Sequence, residues 1–110
     1  MRLYDDGVKV ELLYFEGCPG YETLRPQVEQ MLTERGLDGL DLLPIATAEE
    51  ADAQRFLGSP TLRVEGRDVE PGADERTDFG IKCRIYASVD GLRPTPPDDV
   101  IAAALDRASS

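Results

Sequence analysis

A strand that passes into a helix within four residues leaves this chain few folds to choose from. Val8, Val10, Leu12 and Tyr14 alternate with Lys9, Glu11, Leu13 and Phe15. This period of two turns apolar on both faces towards its end, which predicts a buried central strand. Gly17, Cys18, Pro19 and Gly20 follow directly. Pro19 suits the first helical position, where a missing N–H costs nothing, and Leu24, Val28, Met31 and Leu32 then share one helical stripe. Gly36, just after Arg35, predicts the end of that helix. Pro26 lies inside it, removes one backbone bond and predicts a kink.

The junction puts a cysteine at a helix start. The first N–H groups of a helix have no internal partner and carry partial positive charge, so they draw a thiolate towards them. Cys18 is therefore expected to face solvent as a nucleophile, while the Glu16 carboxylate two residues earlier works against its ionisation.

The remaining chain reads as a short series of alternating elements. Leu40 to Ala46 predicts a strand, and Pro44 within it assigns that strand to a sheet edge, parallel to the first across a right-handed crossover. Thr47 and Glu50 spell a capping box for a helix expected to run to about Leu57 and stop at Gly58, burying Ala51 and Phe56 or Leu57. Ser59, Pro60 and Thr61 then lead into an alternating strand, Leu62 to Glu65. Gly66 opens a turn or a longer loop, and Arg67 to Gly80 has the composition of a loop. Ile81 to Tyr86 predicts the last strand, with Ile81, Cys83 and Ile85 on its apolar face. Asp90 and Gly91 turn the chain, and Thr95, Pro96 and Pro97 introduce a final helix. In that helix Val100, Ile101, Ala104 and Leu105 face inward, Asp98 and Asp99 sit at its positive end, and Ala108 to Ser110 fray.

Strand, Gly, Cys-Pro-X-X, a helix with proline eight residues after the cysteine, and a later Ser-Pro-Thr before a strand together resemble the thioredoxin and glutaredoxin superfamily. Small bacterial thioredoxin-like proteins, some of them named after alkylmercury lyase neighbours, are the nearest in pattern. The resemblance covers nearly the whole chain and implies one thioredoxin-like α/β sandwich over residues 1–110, a four-stranded mixed sheet with helices on both faces in the order βαβαββα. It also implies that the Ser59-Pro60 bond is cis, that Pro60 lies against Cys18, and that the Ser59 backbone pairs with an extended substrate in a groove shared with Pro19 and Thr61. The sequence departs from the family at the second cysteine of the motif, where Tyr21 stands.

Composition removes other classes of function. A formal charge of −10 opposes nucleic acid and anionic membranes as partners, since such contacts depend on Lys and Arg neutralising phosphate. The chain has no histidine, so neither a Cys/His nucleophile pair nor a His-ligated metal is available, and its two cysteines cannot close a four-sulfur zinc site. No cofactor is expected. The first eight residues lack an apolar signal-peptide core and no run reaches membrane-spanning length, which points to the cytoplasm, where both cysteines would rest as thiols.

Three chemistries remain open at Cys18. It is an inert packed thiol, or the attacking sulfur of a monothiol redox protein, or part of a non-catalytic thioredoxin-like module that binds partners or a soft metal such as mercury or copper. In the redox reading the substrate is a disulfide or a low-molecular-weight thiol conjugate. Release then needs glutathione, a mycothiol-like thiol, a partner protein, or Cys83 as resolving cysteine. Tyr21 either supplies a phenol near the sulfur or merely packs, and Cys83 equally suits an apolar strand face. An iron–sulfur bridged dimer is disfavoured, because Pro-Gly-Tyr follows Cys18 and no lysine precedes it at the place that monothiol glutaredoxins use. Arg25, Arg63, Arg84 and Arg93 either line an anion site or lie scattered on the surface.

Overall fold

The computed structural model describes residues 8–37 and 39–109. Its elements are β1 (Val10–Tyr14), α1 (Pro19–Glu34), β2 (Leu40–Pro44), α2 (Ala48–Ala53), β3 (Thr61–Val64), β4 (Arg67–Asp68), a 3₁₀ turn at Ala73–Glu75, β5 (Tyr86–Ser88), β6 (Gly91–Arg93) and α3 (Asp98–Ser109). The expectation for the first seven residues and the fraying of Ser110 fall outside the described residues. Among the described residues no helix is long and apolar enough to cross a membrane.

The result is an α/β fold with a four-stranded mixed sheet and three helices. Strand order is β2-β1-β3-β4, with β1 parallel to β2 and antiparallel to β3, and β3 antiparallel to β4. The central place of β1 and the edge place of β2 are as the residue patterns predict. Because neighbouring side chains of β1 point to opposite faces, Leu12 and Leu13 begin two cores. Val10 and Leu12 pack with Leu24, Val28 and Leu32 of α1 and with Ile101, Ala104 and Leu105 of α3. Leu13 packs with Ile45, Ala51 of α2 and Phe56. Helices thus cover both faces of the sheet.

Both helix ends near the sheet are closed by the same device. At α1 the N–H of Leu37 reaches the carbonyl of Leu32 at 2.8 Å and that of Gly36 reaches Thr33 at 3.1 Å, with Gly36 at φ +69°. At α2 the N–H of Phe56 reaches Ala51 at 2.8 Å and that of Arg55 reaches Asp52 at 3.2 Å. These are Schellman pairs, and the second corrects the expected helix end. Arg55, at φ +55°, takes the left-handed position usually given to glycine, so α2 stops at Ala53 rather than near Leu57. Its start follows the expected capping box of Thr47 and Glu50.

The expected last strand, Ile81 to Tyr86, does not form. Glu65 and Gly66 both have positive φ, the signature of a type I′ hairpin, and send the chain straight back so that Arg67–Asp68 becomes the fourth strand of the sheet. Residues 67 to 80 are therefore not wholly a loop. Between 81 and 85 only a single parallel bridge remains, Cys83 opposite Ser59. The alternation there is real but its faces are reversed: Ile81, Cys83 and Ile85 are exposed, while Arg84 and Tyr86 are buried. Tyr86 instead opens a separate hairpin of β5 and β6. At the other end Ala108 is not frayed; it belongs to α3 and packs on the core.

Candidate functional site

The first turn of α1 and the start of β3 meet at one corner. Cys18 is the N-cap residue of α1, in an extended conformation, and Pro19 follows at the first helical position. The Cys18 N–H closes a turn onto the Phe15 carbonyl at 3.3 Å, and its own carbonyl accepts from Glu22. The Ser59-Pro60 bond is cis, as the resemblance implies. Pro60 lies on the first turn of α1: a Cβ on Gly20 would stand 3.0 Å from Pro60 Cδ and 3.1 Å from the Pro94 carbonyl. Glycine at position 20 is what lets the proline ring and the helix approach so closely.

Two expectations for this corner are corrected. Cys18 does not face solvent; it is 1% exposed. Nor is the Ser59 backbone open to an extended substrate. Its N–H donates to the Lys82 carbonyl at 2.8 Å and its carbonyl accepts from the Arg84 N–H at 2.9 Å. The chain's own residues 82–84 thus occupy the edge of Ser59. Gly58, at φ +126°, makes room for them, since a Cβ there would meet the Lys82 carbonyl at 3.0 Å.

Arg84 holds this crossing segment down. It is 2% exposed, and its two terminal nitrogens reach Asp68 Oδ2 at 2.7 Å, Asp68 Oδ1 at 3.0 Å and Glu70 Oε1 at 2.8 Å. It also donates to Thr61 Oγ1 at 2.9 Å and lies over the Tyr86 ring at 4.5 Å. Burial alone would make this guanidinium easier to deprotonate, but the Asp68 and Glu70 carboxylates outweigh that and hold it charged. The reading of Arg84 as a surface or anion-binding arginine is therefore corrected. Arg25 pairs instead with Glu29 and Tyr21, Arg63 with the backbone carbonyls of Gln54 and Arg55, and Arg93 with Asp90. These four arginines do not converge.

The other predicted residues are all accounted for in the same region. Thr61 is buried and donates its hydroxyl to the Gly58 carbonyl at 2.6 Å. The Ser59 hydroxyl accepts from the Phe15 N–H at 3.3 Å. Tyr86 donates its hydroxyl to the Pro60 carbonyl at 2.5 Å, and burial pushes this phenol far above its ordinary range. The Tyr21 ring stacks on Tyr14, with centroids 3.7 Å apart and planes 5° apart, and its hydroxyl accepts from Arg25 at 3.2 Å. Packing, rather than a role beside the sulfur, accounts for these contacts of Tyr21. Cys83 is exposed, on the crossing segment and away from any apolar core.

Gly20 and Tyr86 had no site role in the sequence reading, and Gly58 and Arg84 had different ones, a helix stop and an anion-site or surface arginine. A glycine in the first turn of a helix otherwise lacking glycine was a usable signal for close approach. Among the described residues no group of three His, Cys, Asp or Glu side chains is gathered to hold a metal ion. Comparison with protein-family models, with curated proteins and with solved structures finds no match to this chain.

Proposed function

We propose that this chain is a thioredoxin-like domain that carries out thiol–disulfide exchange through Cys18. One observation carries the reading: Cys18 caps α1 at the corner where the cis Pro60 rests on Gly20. The sheet order β2-β1-β3-β4, with α1 and α3 on one face and α2 on the other, supports the fold assignment.

In this reading the Cys18 thiolate attacks one sulfur of a substrate disulfide. A mixed disulfide forms, the other substrate sulfur leaves as thiolate, and a second thiol such as glutathione then frees Cys18. Substrate entry requires local opening at the corner, because Cys18 is enclosed and Ser59 is engaged by residues 82–84. A reducing, cytoplasmic setting suits a protein that returns to the thiol form after each cycle.

The test is the reduction of a small glutathionylated disulfide, with glutathione as the second thiol, by the Cys83→Ser protein and by Cys18→Ser/Cys83→Ser. Exchange that is lost only in the double variant supports the assignment; equal rates in both sink it. A second reading, a non-catalytic binding module, is favoured by the enclosure of Cys18 and by the filled edge of Ser59. It predicts those equal rates.

A further inference from the structure

Acidic residues outnumber basic ones in this chain by 22 to 12, so a cation finds a carboxylate easily, as Lys9 does in Glu11, Arg35 in Asp106 and Arg93 in Asp90. Among the described residues Arg55, Arg63 and Arg67 nevertheless form no ion pair. All three border one cavity of about 220 Å³, which lies between the end of α2, the β3–β4 hairpin and residues 73–79. The register of β3 on β1 puts this hairpin at the opposite end of the sheet from Cys18.

Arg63 is left unpaired by the arrangement around it. Its cross-strand neighbour on β4 is Asp68, but both carboxylate oxygens of Asp68 accept from Arg84. Arg63 Nη2 donates to the Gln54 and Arg55 carbonyls at the end of α2, so that capping role uses one nitrogen and leaves Nε and Nη1 without a hydrogen bond. Burial is the leading cause that lowers the pKa of this guanidinium; Arg84 and Arg55 push the same way, and Asp68 and Glu11 oppose them. Arg55 is exposed, with its guanidinium carbon 5.0 Å from the centre of the Phe79 ring and Nη2 3.5 Å from the Asp74 backbone carbonyl. Arg76 also lines the cavity but is committed to Asp78 and Glu70. Of the lining carboxylates, Asp68 is held by Arg84, and Asp74 pairs with neither Arg55 nor Arg63.

From this cluster we infer that the cavity is a binding site for a dianionic phosphate group, held by Arg55 and Arg63 with Arg67 at the rim. Two guanidiniums without counter-charge are answered by a dianion, whereas a carboxylate neutralises only one of them. A phosphomonoester is mostly doubly charged at neutral pH, since its second pKa is about 6. The cavity is smaller than the ~300–1,000 Å³ of pockets that enclose drug-sized molecules, so the ligand is free phosphate or a small phosphomonoester, whose organic part would rest on Leu57 and Phe79. The net charge of the chain does not oppose this, because exposed charges more than about 8 Å away are largely screened at physiological ionic strength.

Titration of the whole protein with inorganic phosphate, with phenyl phosphate and with benzoate, at about pH 7.5 and read by amide NMR shifts, tests this. Saturable shifts from both phosphates are expected at residues 54–57, 63–68 and 73–79, with benzoate binding more weakly. Arg55→Gln and Arg63→Gln should each bind phosphate about tenfold more weakly, and Arg93→Gln, on β6, as the wild type does. Because Arg55 is exposed, Arg55→Gln decides the matter if Arg63→Gln, which loses a cap on α2, does not fold. Tighter binding of phenyl phosphate identifies a monoester as the ligand and equal binding identifies the free ion; both uphold the site. Absence of saturable shifts, wild-type affinity in Arg55→Gln, or benzoate binding as tightly as phenyl phosphate would overturn it.

Discussion

Arg84 grips Asp68 with both terminal nitrogens, at 2.7 and 3.0 Å, and so fastens the segment that crosses Ser59 to the edge strand β4. Both partners are nearly enclosed, with 1% and 10% of their side chains exposed. Removing one member strands a buried charge, which typically costs about 3–5 kcal/mol. Arg84→Met should lower the unfolding free energy by about that amount, and Asp68→Ala by less, because Glu70 still pairs with Arg84. The double variant should lose less than the sum, because no charge is left unpaired. Equilibrium urea unfolding of the four proteins checks both statements; strictly additive losses would deny the pair its structural role.

The burial difference between the two cysteines sets a kinetic prediction. With a thiol reagent in excess, one of the two thiols should react at once and the other slowly. Cys83→Ser should remove the fast phase and Cys18→Ser the slow one. The slow phase should accelerate with subdenaturing urea, since it reports opening of the corner rather than intrinsic nucleophilicity. Fast modification of Cys18 in native buffer would contradict the observed enclosure.

How much of this was legible in the residues follows from the range of the interactions involved. The β1 to α1 junction is written locally, in a period of two, a Pro19 suited to the first helical turn and a stripe that follows, and it stands as read. The α2 start is equally local, because Thr47 and Glu50 satisfy each other's backbone groups across three residues. The α2 end was not, since the left-handed residue is Arg55 and carries no glycine signal. The reversed face of residues 81–86 had no local signal at all. Apolar Ile81 and Ile85 turn outward because Arg84 finds carboxylates 16 and 14 residues away on Asp68 and Glu70. Only the folded arrangement supplies that pairing, and it also decides that Cys83 is exposed.

Gly20 offers a test in which two rules disagree. Alanine is a better helix former than glycine by about 1 kcal/mol, so propensity alone predicts that Gly20→Ala stabilises. The added methyl, however, would stand 3.0 Å from Pro60 Cδ and 3.1 Å from the Pro94 carbonyl, and one of these is backbone. Overpacking of this kind costs about 1–3 kcal/mol, so the contact should win and the variant should unfold at lower urea. A stabilised Gly20→Ala protein would mean that Pro60 does not press on α1 as described.

Tyr86 makes stability depend on high pH. Its phenol is buried and donates to the Pro60 carbonyl, and burial, the leading cause, raises its pKa far above the ordinary value of 10.0. The folded chain therefore keeps the proton that the unfolded chain gives up near pH 10. The contribution is fully present below that pH and is lost as pH rises towards the folded value. With four tyrosines and no tryptophan in the chain, phenolate absorbance near 295 nm follows the process cleanly. The part of the phenolate signal owed to Tyr86 should appear only on alkaline unfolding. Tyr86→Phe should remove that late part, lower stability at pH 7 by about 1 kcal/mol through the lost hydrogen bond, and flatten the decline of stability above pH 10. A wild-type protein that shows the same phenolate signal as Tyr86→Phe plus one further phenol ionising near pH 10 while still folded would refute the enclosure of Tyr86, and with it the contact that ties the start of β5 to the cis proline.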